Sequence, residues 1–474
     1  MIAFEEQDMY LMSQRNMRIS ELPWLTIIST IGIGLLLAAF VLTLSTYFVL
    51  VAVLAIVAGV ALVRNLQAGL VGYMLVAALA FGESPRIQSA HSDYGAGIMP
   101  SQLVLIFLFI LWLGRRAFVE RTPVVKSHLS RPLFVLLCTA IISLVSARLI
   151  NPSYGLTMHR MFITQIAEIA LMSCSVIAFV ISSNVFQNGK YISAIWIPVS
   201  LLGIYCSAFS IVGKLPPVMV KWPALMINAA IGLVYARLLF KKSSIWAYLG
   251  LGLLLAFLIA GASLMALWIS GFSATIVTIL TITVVKSWRT ALAVCLAAVL
   301  ILMLFPGIYL NASDKAAAGG DFDRFIIWHD AITMLAGVNP YLGVGPGNYY
   351  SYIYHFSTIW YGINTYTTAH NNYVQILAEL GIVGFMILLW VQISAVRTAI
   401  RNVRDATDDL KWLTIASLGI LIGIFAACLF GDYLFPNRAN GGIVSFGTTV
   451  YTWLILGAAT AAGNLGRKQR EAQE

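Results

Sequence analysis

The sequence predicts an all-α, polytopic transmembrane protein of about fourteen spans (roughly 12 to 14), and three observations carry that prediction. Only 10% of its 474 residues are charged, 60% are hydrophobic, and the mean hydropathy is +0.88. A soluble domain would carry about a quarter charged residues. Apolar runs of about 20 residues recur along the chain, each long enough to cross a hydrocarbon core of about 30 Å. Lys and Arg come in small clusters between these runs, which is how topology signals are laid out.

Taken in order, residues 1–23 form a leader with Glu5, Glu6, Asp8, Arg15 and Arg18. The apolar run behind it is too long for a signal-peptide core, so the leader is expected to stay attached and cytoplasmic. Eleven spans are expected within 24–310, near 24–43, 46–63, 67–83, 99–114, 132–150, 161–183, 191–212, 222–240, 246–261, 264–285 and 290–310. Stretches 24–63 and 246–285 must each turn back once, because about 40 helical residues measure roughly 60 Å. Residues 311–370 form a long outside loop. Three more spans are expected within 371–462, near 371–395, 412–431 and 440–462, and then a cytoplasmic tail at 463–474.

With the N-terminus inside, eight of the 29 Lys and Arg residues fall outside: Arg86, Arg148, Arg160, Lys214, Lys221, Lys315, Arg324 and Arg438. The remaining 21 are cytoplasmic, the side enriched in these residues. Removing any one span would put later clusters on the wrong side, so an even number is favoured. The formal charge of +10 does not point to nucleic acid, which needs its cations gathered on one face. Cys138, Cys174, Cys206, Cys295 and Cys428 are scattered through apolar runs without a CxxC pair and read as small hydrophobes.

A connection as long as 311–370 is rare unless it is functional. Asp321 or Asp323 can cap a short amphipathic helix whose apolar surface comes from Phe325, Ile326, Trp328, Met334 and Leu335. Gly337 and Pro340 end it, Gly343 to Gly347 form a turn cluster, and 349–373 is crowded with aromatics. Interfacial belts of Tyr and Trp are common, so packing of these rings on sugar faces ranks second to that ordinary role.

The chemistry of the loop gathers on a few residues. A lone histidine at a membrane interface, such as His370, is more often a helix-end hydrogen-bonder than a catalyst. Its setting raises its interest: Asn371 follows at once, and Gly381 and Gly384 lie one helical face further on, at a spacing that lets another helix approach. An outside arginine ordinarily snorkels to headgroups. Arg324 and Arg160 facing one cavity would instead clamp a diphosphate, since the guanidinium fork matches phosphate oxygens bidentately. Lys214, Lys221 and Arg438 are weaker candidates for the same cavity. Glu168 and Glu379 lie within spans, the latter about 13 Å of helix rise below His370, so both are expected to pair structurally. His159, His329, His355 and His370 show no metal-ligand spacing, and neither a Walker motif nor GxSxG is present.

The string Thr368-Ala369-His370-Asn371-Asn372-Tyr373 through Glu379-Leu380-Gly381-Ile382-Val383-Gly384, preceded by Arg324-Phe325-Ile326-Ile327-Trp328 and by Pro340 to Tyr349, resembles the O-antigen ligase and polymerase superfamily of bacterial membrane glycosyltransferases. The resemblance implies a fold similar to the membrane GT-C class. It implies transfer from an undecaprenyl-diphosphate-linked glycan donor to a sugar hydroxyl, on a growing glycan or lipid A-core, at the periplasmic face of the inner membrane. No cofactor, metal or nucleic acid is implied; a flippase or chain-length regulator would be the protein partner. His370, Arg324 and, matched by position alone, Arg160 would be catalytic. Asn371, Trp328, Tyr349, Lys214, Lys221 and Arg438 would bind substrate. The rival reading is a transporter or flippase of lipid-linked glycan. Such proteins tend to show repeated halves, broken helices and midplane ionisable residues, whereas here the polar weight sits in one outer loop.

Overall fold

The computed structural model describes residues 65–78, 100–121, 124–125, 127–150, 159–213, 220, 222–264, 269–293, 295–296, 323–356, 368–437 and 445–474. The leader, the spans expected near 24–43 and 46–63, and most of 290–322 lie outside these. The chain divides into two units, residues 1–69 and 70–474, and the second holds nearly all of the described residues.

Every regular element among the described residues is a helix. They are α1 (Leu66–Val76), α2 (Pro100–Gly114, continued as a π-helical turn over Arg115–Glu120), α3 (Ser130–Ile150), α4 (His159–Val185), α5 (Gly189–Ala194), α6 (Trp196–Val212) and α7 (Pro223–Phe240). Next come α8 (Ile245–Leu264), α9 (Ile269–Lys286), α10 (Asp323–Val338), α11 (Tyr349–Phe356), α12 (Asn372–Asp405), α13 (Asp408–Ala427) and α14 (Phe446–Glu471). Hydrocarbon offers no water to backbone N–H and C=O groups, so apolar runs of this length satisfy them internally as helices. Among the described residues, eight segments are long and apolar enough to span: α2, α3, α4, α5 with α6, α7, α8, α12 and α13. The chain is therefore a polytopic helical membrane protein.

α7 packs against α6, α8, α9 and α13, and α14 packs against α4, α12 and α13. Lipid tails are as apolar as leucine, so helices associate through close packing and hydrogen bonds. A Cβ added at Gly203 would lie 2.4 Å from Ala230, and one at Gly423 would lie 2.2 Å from the Thr278 hydroxyl. Thr278 Oγ1 donates to Gly419 O at 3.2 Å, Ser182 Oγ to Leu454 O at 2.6 Å, and Asn402 Nδ2 to Thr460 Oγ1 at 3.1 Å.

α12 is broken at Gly381, where φ is 70° and ψ is −172°. In an unbroken helix Ile382 N–H would donate to Ala378 O, and Val383 N–H to Glu379 O. Here those carbonyls instead accept Val344 N–H (3.0 Å) and Gly345 N–H (2.9 Å). Ile382 N–H and Val383 N–H donate in turn to Pro340 O (3.0 Å) and Tyr341 O (3.2 Å). The turn at 340–345 is thus spliced into the helix, and each freed group named here regains a partner, as a dry environment demands. Ser143 of α3 closes the splice from the other side, its hydroxyl 2.6 Å from Leu342 O and 2.9 Å from Glu379 O.

This corrects the reading of Gly381 and Gly384 as a helix-contact surface. At Gly381 the close neighbour is loop backbone: a Cβ there would sit 2.2 Å from Tyr341 C and O. At Gly384 it is Leu380, one turn back across the break, with its Cβ at 2.1 Å. The expected turn cluster is present, with φ of +69°, +95° and +68° at Gly343, Gly345 and Gly347.

Candidate functional site

The expected amphipathic helix of the long loop is α10. Its inward face is Ile327, Ala331, Met334 and Leu335, while Phe325 and Ile326 point outward. Ala331 and Met334 join a buried cluster with Val344, Tyr349, Tyr352, Ile353, Ala369 and Ala378, against which Trp328 also packs. This cluster seats α10 and α11 on the beginning of α12. Arg324 lies one helical turn before Trp328 and so shares its face. Half-buried, Arg324 donates from Nη1 to Phe430 O at 3.1 Å, in the turn after α13.

His370 stands at the entrance to α12. Asn371 caps that helix, its Oδ1 accepting from Tyr373 N–H (2.9 Å) and Val374 N–H (3.2 Å). His370 itself has φ of +47°, a left-handed conformation that costs a residue with a Cβ about 1–3 kcal/mol and persists only where the surroundings impose it. The imposing contacts fall on Ala369. Its N–H donates to Gln375 Oε1 at 2.9 Å, and its carbonyl accepts from Trp328 Nε1 at 2.9 Å. His370 N–H reaches Thr368 Oγ1 at 3.4 Å.

Arg324 and His370 are thereby brought together. Burial first, and then the Arg324 charge, lower the His370 pKa from 6.5 to about 4. At neutral pH the imidazole is uncharged and offers a lone pair beside a permanent cation. The fold holds the ring below the ordinary histidine range because it is buried and the Arg324 charge acts on it.

Arg160 lies in the first turn of α4, and its side chain falls outside the described residues. Its helix does approach the site: a Cβ at Gly345 would lie 3.2 Å from Gln165 Nε2, and Glu168 lines one small cavity with Asn372, Gln375 and Glu379. Lys214, Lys221 and Arg438 lie outside the described residues. Arg148, which the sequence offers only as a topology signal, donates to Gln165 Oε1 through Nε (3.2 Å) and Nη2 (3.0 Å) and lies over the Phe162 ring at 5.1 Å. Its charge also opposes the burial that raises the Tyr352 phenol.

Several expected substrate contacts have other occupations in this arrangement. Trp328 spends its indole N–H on Ala369 O, and Asn371 spends its carbonyl oxygen on the α12 cap. Tyr349 is 1% exposed, so its ring is enclosed rather than presented to a sugar. Burial, then the carboxylates of Asp330, Asp432 and Glu379, push its phenol well above the usual range. Glu379 accepts from Gln375 Nε2 at 2.8 Å and faces the backbone N–H groups of Gly347 and Tyr349, so amide donors hold it. Sequence reasoning passed over Gln375, although a Gln four residues before a Glu is a readable helical pair. Among the described residues, no three His, Cys, Asp or Glu side chains converge as metal ligands would.

Residues 223–389 match the family model described as O-antigen ligase. The match covers about a third of the chain, from α7 into α12, and contains Arg324, the spliced turn and His370. No curated protein matches the chain.

Proposed function

From the match of residues 223–389 to the O-antigen ligase family model, we propose that this chain is a membrane glycosyltransferase of the O-antigen ligase and polymerase superfamily, using a glycan on undecaprenyl diphosphate. The acceptor is a sugar hydroxyl at the periplasmic face, on a growing polysaccharide or on lipid A-core. The observation that carries this reading is the juxtaposition of Arg324 with an uncharged His370 at the mouth of α12.

In the reaction the acceptor hydroxyl oxygen forms a bond to the anomeric carbon. The bond from that carbon to the diphosphate breaks, and its electron pair leaves on the diphosphate oxygen. Arg324, joined by Arg160, holds the diphosphate and offsets the charge that grows on it, the main electrostatic need of such a step. His370 accepts the hydroxyl proton. The bound diphosphate counters the Arg324 field and so returns the His370 pKa towards neutrality, where a general base works best. The free energy that drives transfer arrives in the donor's bond to diphosphate, which suits a compartment without ATP or nucleotide sugars.

Alanine at Arg324 or at His370 is expected to leave the protein inserted and glycan transfer abolished or nearly so. A single lost charged hydrogen bond accounts for about 1.5–3 kcal/mol, a ten- to hundredfold effect. Normal glycan assembly in both variants overturns the assignment. A deletion strain, read by lipopolysaccharide gel, then separates the subclasses. Single repeats on lipid A-core identify a polymerase, and long chains stranded on the lipid carrier identify a ligase.

A further inference from the structure

Two side chains hold the Ala369–His370 segment from opposite sides. Trp328, on the Arg324 helix, donates its indole N–H to Ala369 O at 2.9 Å. Gln375, on the His370 helix, accepts Ala369 N–H at 2.9 Å and donates to Glu379 Oε1 at 2.8 Å. Glu379 in turn faces the backbone N–H groups of Gly347 and Tyr349, in and just beyond the turn cluster. Gln375 and Glu379 are 1% and 4% exposed, so water cannot substitute for these partners. His370 retains φ of +47° against the preference of a residue with a Cβ, which requires fixed neighbours on both sides.

We propose that Trp328, Gln375 and Glu379 are positioning residues, a hydrogen-bonded brace that sets the imidazole of His370 against the guanidinium of Arg324. The Trp328 bond fixes the distance between the Arg324 helix and the His370 segment. The Gln375 and Glu379 pair ties the same segment to the spliced turn. None of the three needs to touch substrate. The proposal rests on the glycosyltransferase reading above, because it assigns these residues to the service of that Arg and His pair.

The test uses the full-length protein in nanodiscs with an undecaprenyl-diphosphate-linked glycan donor. Trp328→Phe keeps the ring and removes the N–H. Gln375→Glu keeps an acceptor for Ala369 N–H, removes the donor and sets two carboxylates side by side. A misplacement of about 1 Å at a reacting group costs on the order of a hundredfold. Each variant is therefore expected to lose ten- to a hundredfold in kcat per folded molecule, with KM for the donor changed less than about threefold.

The exchange Gln375→Glu with Glu379→Gln reverses the bond: position 379 donates, position 375 accepts from both sides, and the remaining oxygen at 379 still meets the turn. It is expected to recover most of the lost kcat. Amide hydrogen exchange at 368–371 should speed up in Gln375→Glu and slow again in the exchange, whatever the substrate. If Arg324→Ala and His370→Ala remain active, the function reading has failed. If those two are inactive while Trp328→Phe and Gln375→Glu keep wild-type kcat, or lose activity only as they lose folded protein, the brace is refuted and the function reading stands.

Discussion

At its N-terminal end α12 is held by buried backbone and amide hydrogen bonds to the turn at 340–345, to Ser143 and through Gln375, whereas at its C-terminal end one buried bond, Asn402 to Thr460, is followed by an exposed cluster of ion pairs. There Asp405 takes Arg401 Nε at 3.4 Å, Arg467 Nε at 3.2 Å and Arg470 Nη2 at 2.8 Å, tying α12 to the end of α14. Those arginine side chains are 33–49% exposed, so water and salt compete for them. Long flexible cations accept many geometries. A carbonyl in a dry cleft accepts few. The end that carries His370 is therefore built from many contacts that specify position, and the last turn at the other end mostly from contacts that anchor.

The comparison breaks most sharply at Gly381. Alanine there meets both the φ of 70° and a Tyr341 backbone 2.2 Å from its Cβ, so the splice cannot close. We expect a loss of more than about 3 kcal/mol and of glycan transfer together, read by thermal unfolding in detergent and by glycan gel.

A pH titration sharpens it next. His370 ordinarily titrates at 6.5 and is held down to about 4, so the folded state binds fewer protons than the unfolded chain between those values. Its contribution to stability is complete above about 6.5 and is lost as pH falls towards about 4. His370→Gln should flatten that acid slope in unfolding experiments. Arg324→Gln, by removing the second cause of the shift, should move the His370 titration upward; an unchanged titration would show that the two groups do not sense each other.

Ser143→Ala takes the hydroxyl from Leu342 O and Glu379 O, and a loss of about 1 kcal/mol with a lowered kcat is expected. Asp405→Asn, at the opposite end, should shift stability by less than about 1 kcal/mol, less still at high salt, and leave activity intact. Equal effects from these last two substitutions would erase the distinction between the ends.

The helices are legible in the sequence because apolar runs between charged clusters admit little else in lipid. The loop helix and the glycine turn are legible for local reasons: an apolar stripe and three glycines in five residues. What the sequence conceals is which partner each will meet. Gly381 announces a close approach without saying whether a helix or a loop makes it. The Trp328 indole and the Gln375 amide both bind the backbone of Ala369, and a backbone group carries no residue identity for a sequence to reveal. Tyr349 looks available to a sugar because aromatic residues abound nearby; only the fold shows that its ring is enclosed. Arg148 and Arg160 are alike in the sequence as outside arginines, and the structure links Arg148 to Gln165 through geometry that no spacing rule encodes.

The splice has a consequence for how such a chain can diversify. Because four residues within 340–345 complete the backbone hydrogen bonds that α12 loses at its break, inserting or deleting even one residue there would leave some of those groups unpaired. The turn is thus held to a fixed length by the helix whose hydrogen bonds it supplies.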